Sequence, residues 1–120
     1  MKLIALLATA VIVLCIAAPS ADAKDIRKES QFLEAIVGKK LVNGGTWLVI
    51  SPDGKLEGVA PNNVKIKGAW VWNKKFWCRN VVAGQKSFPE DCLKVSVDGN
   101  QVKFVRNKGK GDAISYTIAD

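Results

Sequence analysis

The sequence predicts a mainly β domain: a small antiparallel barrel or sandwich of seven to eight strands, preceded by one short N-terminal helix. Three observations carry that expectation. A single stretch, "KESQFLEAIVGKK", spaces its apolar residues as a helix does, and it comes first. After Gly38 the apolar period changes to two, in "TWLVIS", "KLEGVA", "VKIKGAWVW", "KFWCRNV", "CLKVSV", "QVKFVR" and "AISYTI". Turn signals separate these runs: "NGG" from Asn43, "SPDG" from Ser51, "PNN" from Pro61, "DGN" from Asp98 and "GKG" from Gly109. Strands do not alternate with helices, which excludes a doubly wound nucleotide-binding unit.

Residues 1–23 read as a secretory signal rather than as part of the domain. Lys2 supplies the positive start, "LIALLATAVIVLCIAA" the apolar centre, and Ala21-Asp22-Ala23 the small residues of a cleavage site. No stop-transfer pattern follows, so no permanent membrane span is expected. Leu14 stands where a lipid-anchored Cys15 would need a small residue before it. Cleavage after Ala23 leaves one domain, 24–120, in the periplasm or secreted.

In the helix, Phe32, Leu33, Ile36 and Val37 fall on one stripe, Ser30 suits the N-cap and Gly38 the C-terminal cap. Cys78 and Cys92 are the cysteines left after cleavage, and an oxidising compartment allows them one intramolecular pairing. A zinc site would need partners that a chain without histidine lacks. A redox pair would normally be spaced Cys-x-x-Cys. The reading is a structural disulfide, contributing about 3 kcal/mol for a loop of ~15 residues.

The densest segment is "GAWVWNKKFWCRN", Gly68 to Asn80. With a three-residue loop at Asn73, Lys74 and Lys75, Trp72 faces Phe76 and Trp70 faces Cys78, so those four share one side of the sheet. On this register Trp70, Trp72 and Phe76 are core, packed about the disulfide, together with Trp47 and Phe104. Trp77 and Arg79 then project to the other side, near Lys74 and Lys75 at the tip. An aromatic beside cations is either a stacking platform or a tryptophan covered by arginine. With Lys86 and Phe88, from the Cys-bounded "RNVVAGQKSFPED", these residues make the candidate binding surface.

Catalytic chemistry is poorly represented. Without histidine the usual general base of a nucleophilic mechanism is missing. Asp53, Glu57, Glu90 and Asp91 are the remaining acid/base candidates, and Asp53 suits its "SPDG" turn. "GKG" lacks the strand before and helix after that a phosphate loop requires. A non-enzyme without metal or cofactor is expected. The net charge of +7 favours an anionic envelope component or an exported protein as partner. Nucleic acid is not expected, since no basic motif is clustered. Lys65 and Lys67, and likewise Lys94 and Lys103, alternate with apolar neighbours, as on a solvated outer face.

Taken together, "SPDGKLEG", "GAWVWNKKFWCRN", "FPEDC" and "GKGDAISYTI" resemble a group of small exported proteobacterial proteins. Their pattern runs D-G-x-x-x-G, G-x-W-x-W, F-C-R, a second cysteine some fourteen residues on, and a final G-x-G. The resemblance spans about Phe32 to Ile118 and implies a disulfide-containing β-barrel of unassigned function. The chain departs from it at the hairpin tip, where Lys74-Lys75 replace a pair such as Asp-Gly. Members often carry the label dihydrodipicolinate reductase. The mature chain is too short for a nucleotide-binding domain plus a catalytic one, and it has no G-x-G-x-x-G. The expected function is a non-catalytic binding or accessory module. The alternatives are an inhibitor of an exported protease or lysozyme, presenting Lys86, Ser87 and Phe88 on a loop, and more remotely an enzyme as in that label.

Overall fold

The computed structural model describes residues 23–119. The expected signal, Ala23 apart, lies outside the described residues. Strand β1, Lys24–Ile26, leads into helix α1, Glu29–Ala35. Eight strands follow: β2 Lys40–Asn43, β3 Thr46–Ile50, β4 Lys55–Ala60, β5 Val64–Asn73, β6 Phe76–Ala83, β7 Lys86–Asp98, β8 Gln101–Val105 and β9 Ala113–Ala119. Each pairs antiparallel with the next, and β9 returns to β2 through Leu41↔Ile118, so the eight close into an up-and-down barrel. Closure leaves the even alternation of inward and outward residues intact while removing the exposed edges of an open sheet. Strand β1 is extra. It pairs with Val95–Val97 of β7, on the edge that β6 has already left. Among the described residues no helix is long and apolar enough to cross a membrane.

The described chain thus enters on a strand, not on the expected helix. Ser30 lies inside α1 rather than at its cap; the Gln31 side chain instead accepts the backbone N–H groups of Arg27 (3.0 Å) and Lys28 (3.2 Å). Phe32 and Ile36 are fully buried, but Leu33 is exposed, so the apolar stripe is narrower than its spacing suggests. Gly38 does turn the chain out of the helix. It takes φ 82°, and its N–H donates to the Ile50 carbonyl at 2.8 Å.

The hairpin β5–β6 is shifted by one residue from the sequence-based register. Its tip has two residues, Lys74 and Lys75, and the pairs are Asn73↔Phe76, Trp72↔Trp77, Val71↔Cys78 and Trp70↔Arg79. A slip of one flips every side chain of β6 to the other face. Trp77 and Arg79 therefore point inward with Trp70 and Trp72, while Phe76 and Cys78 face outward with Val71. The physical reason is the tight turn: two-residue loops match strand twist best. Lys74 takes φ 58°, and the Trp72 indole N–H ties the tip down by donating to the Lys74 carbonyl at 2.8 Å.

Two aromatics expected in the core follow the same logic to the outside. Phe76 is half-buried on the outer face beneath the ammonium groups of Lys75 and Lys108, 5.6 and 5.9 Å from its ring. Trp47 alternates with the buried Leu48, so it too lies outside, with the Lys40 ammonium 5.3 Å from its ring. Cys78 and Cys92 form the disulfide. It clamps β6 to β7 at directly opposed positions on the outer face, not among the indoles.

The interior has two halves. At one end α1 lays Phe32 against three indoles, with ring centroids 5.4 Å from Trp70, 5.2 Å from Trp72 and 5.8 Å from Trp77. This plug is locked to the β3–β4 turn: the Trp70 N–H donates to the Gly54 carbonyl and its indole N–H to the Ser51 carbonyl, at 2.8 and 2.9 Å. Gly58 and Gly68 let the strands approach closely at mid-barrel. A Cβ on Gly58 would collide with the Trp47 carbonyl, and one on Gly68 would crowd Leu56 and collide with the Asn80 carbonyl. These contacts give the D-G-x-x-x-G and G-x-W-x-W spacings a steric meaning.

Two outcomes test this account. Phe32→Ala should lower stability by about 3–5 kcal/mol, as other buried phenylalanine truncations do, measured by urea unfolding of the oxidised domain. Gly58→Ala should cost about 1–3 kcal/mol through overpacking, although alanine normally outperforms glycine in a strand.

Candidate functional site: the barrel mouth

The end opposite the plug is framed by four connections: Gly44-Gly45, Pro61–Asn63, Gly84-Gln85 and the longer Arg106–Asp112. Inside them lies a cavity of about 340 Å³. Leu48, Leu56 and Ile66 line one wall, Leu93, Phe104 and Tyr116 another, and Trp77 stands at its inner end. These are the inward residues of successive strands, so ordinary alternation builds the apolar walls, and Arg106 and Asp112 of the last connection complete the rim. Trp77 is shared between the two halves. It stacks on Phe32 and also lies 4.9 Å from Phe104.

Polar groups gather at one side of the mouth. Arg79 of β6 points inward and is half-buried. Across the ladder stands Asp91 of β7, but its carboxylate is otherwise engaged. It accepts from the Arg106 guanidinium at 3.2 Å and from the Asn107 N–H at 3.2 Å, which pins the β8–β9 connection onto β7. The pinned segment needs a tight turn, with Asn107 and Lys108 at φ 51° and 55°. Between Arg79 and Val81 the pairing slips, leaving Pro89 and Glu90 in a bulge of β7. Proline suits that place, since it has no N–H to give to the ladder. The freed Pro89 carbonyl accepts from Arg79 at 3.3 Å, the one hydrogen bond of that guanidinium among the described residues.

Two donors, those of Arg79 and Tyr116, therefore face the chamber with capacity to spare. Arg79 has further N–H groups. The Tyr116 hydroxyl makes no hydrogen bond among the described residues, and the buried Trp77 indole N–H has no acceptor. Burial pushes the Tyr116 phenol above its ordinary value, and the Arg79 charge partly opposes that. Burial likewise lowers Arg79; Asp91 opposes the drop, Arg106 adds to it and Tyr116 resists it. Arg79 stays charged at neutral pH, because a guanidinium begins so far above it.

The candidate surface read from the sequence is dispersed by this geometry. Trp77 and Arg79 are inside the barrel. Phe88 reaches the mouth from the inner face of β7, with the Lys86 ammonium 5.1 Å from its ring. Lys74 and Lys75 sit at the far end, on the hairpin tip beside the plug. The stretch "RNVVAGQKSFPED" is paired strand closed by a two-residue turn, not a protruding loop. Of the four acid/base candidates, Asp53 accepts the Lys55 N–H within its turn at 3.1 Å, Glu57 faces outward and Glu90 is exposed in the bulge. Only Asp91 stands at the mouth. Among the described residues no three histidine, cysteine or acidic side chains gather as a metal would require.

Sequence reasoning passes over Tyr116 and Arg106. The first has a legible signal: Tyr116 alternates with Ile114 and Ile118 in "AISYTI", so it belongs to an apolar strand face. Arg106 has none, because its position depends on the turn that Asp91 holds. No family model matches the chain, and neither a curated protein nor a solved structure matches it.

Tyr116 is the chain's one tyrosine, so its ionisation can be read directly by ultraviolet absorbance. The midpoint should lie above the ordinary 10.0, and Arg79→Gln should move it further up. The sign for stability follows. The folded value is raised, so this contribution is whole below the unfolded value near 10.0 and is lost as pH climbs through the folded one.

Proposed function

We propose that the chain is an exported, non-catalytic binding module of the periplasm or extracellular space, a member of the small disulfide-containing barrel group it resembles. In this reading the ligand is a small apolar molecule held inside the barrel mouth. The observation that carries it is the chamber of about 340 Å³, enclosed by apolar strand residues and plugged at its inner end. Binding pockets commonly occupy ~300–1,000 Å³, are mostly apolar and carry a few converging polar groups. A barrel lined in this way gives up contacts that a filled core would make, and a ligand restores them.

A non-catalytic role is supported by the distribution of the acidic groups. Asp91 is held by Arg106 and Asn107, which leaves it poorly placed to move protons, and Asp112 is exposed on the rim. Export is supported by the signal-like residues 1–23 and by a disulfide that suits an oxidising compartment.

A neutral fluorescent probe, N-phenyl-1-naphthylamine, tests the reading with the mature oxidised protein. One probe should bind per chain with saturation, and Ala83→Phe, at the mouth, should weaken it by ~10-fold or more. The thermal midpoint of the variant should stay within a few degrees of the parent. Absence of saturable binding, or equal binding by the variant, would overturn the pocket.

A further inference from the structure

The two spare donors at the mouth, the Arg79 guanidinium and the Tyr116 hydroxyl, stand before a largely apolar chamber. We infer that the ligand is an apolar monocarboxylate, a fatty-acid-like molecule whose head rests on the Arg79 guanidinium and Tyr116 hydroxyl while its tail lies among Leu48, Leu56, Ile66 and Phe104. This inference rests on the pocket reading and names the ligand class for the same site.

Arg79, half-buried and facing an apolar chamber, has one carbonyl partner at 3.3 Å, so most of its donors remain to be offered. Its natural neighbour, Asp91, is committed to Arg106 and Asn107. The described ion pairs accordingly join Arg106, not Arg79, to that carboxylate. The planar fork of arginine matches a carboxylate with two parallel hydrogen bonds. Tyr116 is buried on the neighbouring wall, with its hydroxyl free to donate to the same head.

The charge count selects a singly charged head. Arg79 and Arg106 are cationic at the rim, and Asp91 and Asp112 are anionic there. Arg106 is spent on Asp91, so one negative charge matches the remaining cation, Arg79, and Asp112 on the rim opposes a second. A cationic head would meet the Arg79 charge directly, with the exposed Asp112 at the rim as its counter-charge.

The test compares decanoate, decanol and decyltrimethylammonium at neutral pH, each displacing N-phenyl-1-naphthylamine from the oxidised mature protein. Decanoate should bind at least ~10-fold more tightly than decanol, the scale of one charge-assisted hydrogen bond, and the cation most weakly. In Arg79→Gln the decanoate preference should fall to within ~2-fold of decanol while the neutral probe still binds. Arg79→Lys should retain part of it. A readout independent of any variant is the phenol itself: bound decanoate should raise the Tyr116 midpoint further, because an anion beside it disfavours phenolate. Equal binding of decanoate and decanol by the parent, with the probe bound, would overturn the carboxylate but leave the pocket. An unmoved Tyr116 midpoint at saturating decanoate would overturn the assigned head position. Failure of the probe itself to bind would remove both.

Discussion

Everything in this barrel is arranged around the insertion of one phenylalanine. At the α1 end the eight strands are closed by a side chain from outside the barrel, Phe32, which packs fully buried among their indoles. Its full burial is worth roughly 2–3 kcal/mol of transfer free energy, and the three indoles it meets add directional aromatic contact. Because α1 fills only one end, the chamber survives at the other. Plug and pocket are therefore one solution to a packing problem, with Trp77 as the wall between them.

The disulfide and the Asp91 clamp act at neighbouring positions on opposite faces of the same strand pair. Cys78–Cys92 fixes β6 to β7 from outside, one residue from Arg79 and one from Asp91. From inside, Asp91 holds the β8–β9 connection. Strand β7 can bulge at Pro89 and Glu90 without losing its place, since it is fastened on both sides just beyond the bulge. That combination brings the Pro89 carbonyl to Arg79 and keeps the guanidinium turned inward. The electrostatics of the mouth are in this sense a product of sheet mechanics.

Much of the fold was legible from period and punctuation. The strands, most turns and the disulfide follow from alternation, from glycine-bearing tetrapeptides and from cysteine count. The choice between barrel and sandwich was not, because it turns on Leu41 meeting Ile118 across nearly the whole chain. The candidate site was half legible: Trp77 and Arg79 were singled out, yet for the wrong face. The cause is one residue of hairpin geometry. Lys74-Lys75 carry none of the usual marks of a two-residue turn, and what secures it is an indole hydrogen bond from Trp72 that spacing does not announce. Once that register slips, Phe76 trades places with Trp77, and the same alternation that exposes Trp47 does so unnoticed.

The separation of plug from mouth along the barrel axis has an evolutionary consequence. The glycine contacts at Gly58 and Gly68, the Ser51–Gly54 turn and the α1 insertion all involve the closed end or the middle, where almost any change meets backbone. The four connections at the open end meet mainly solvent and the apolar chamber. Drift should thus be steeply graded along the molecule, slow beneath the helix and permissive around the rim. A scaffold with that gradient can reshape its open end through Ala60, Ala83, Phe88 or Ile114 while the residues that make it fold are left untouched.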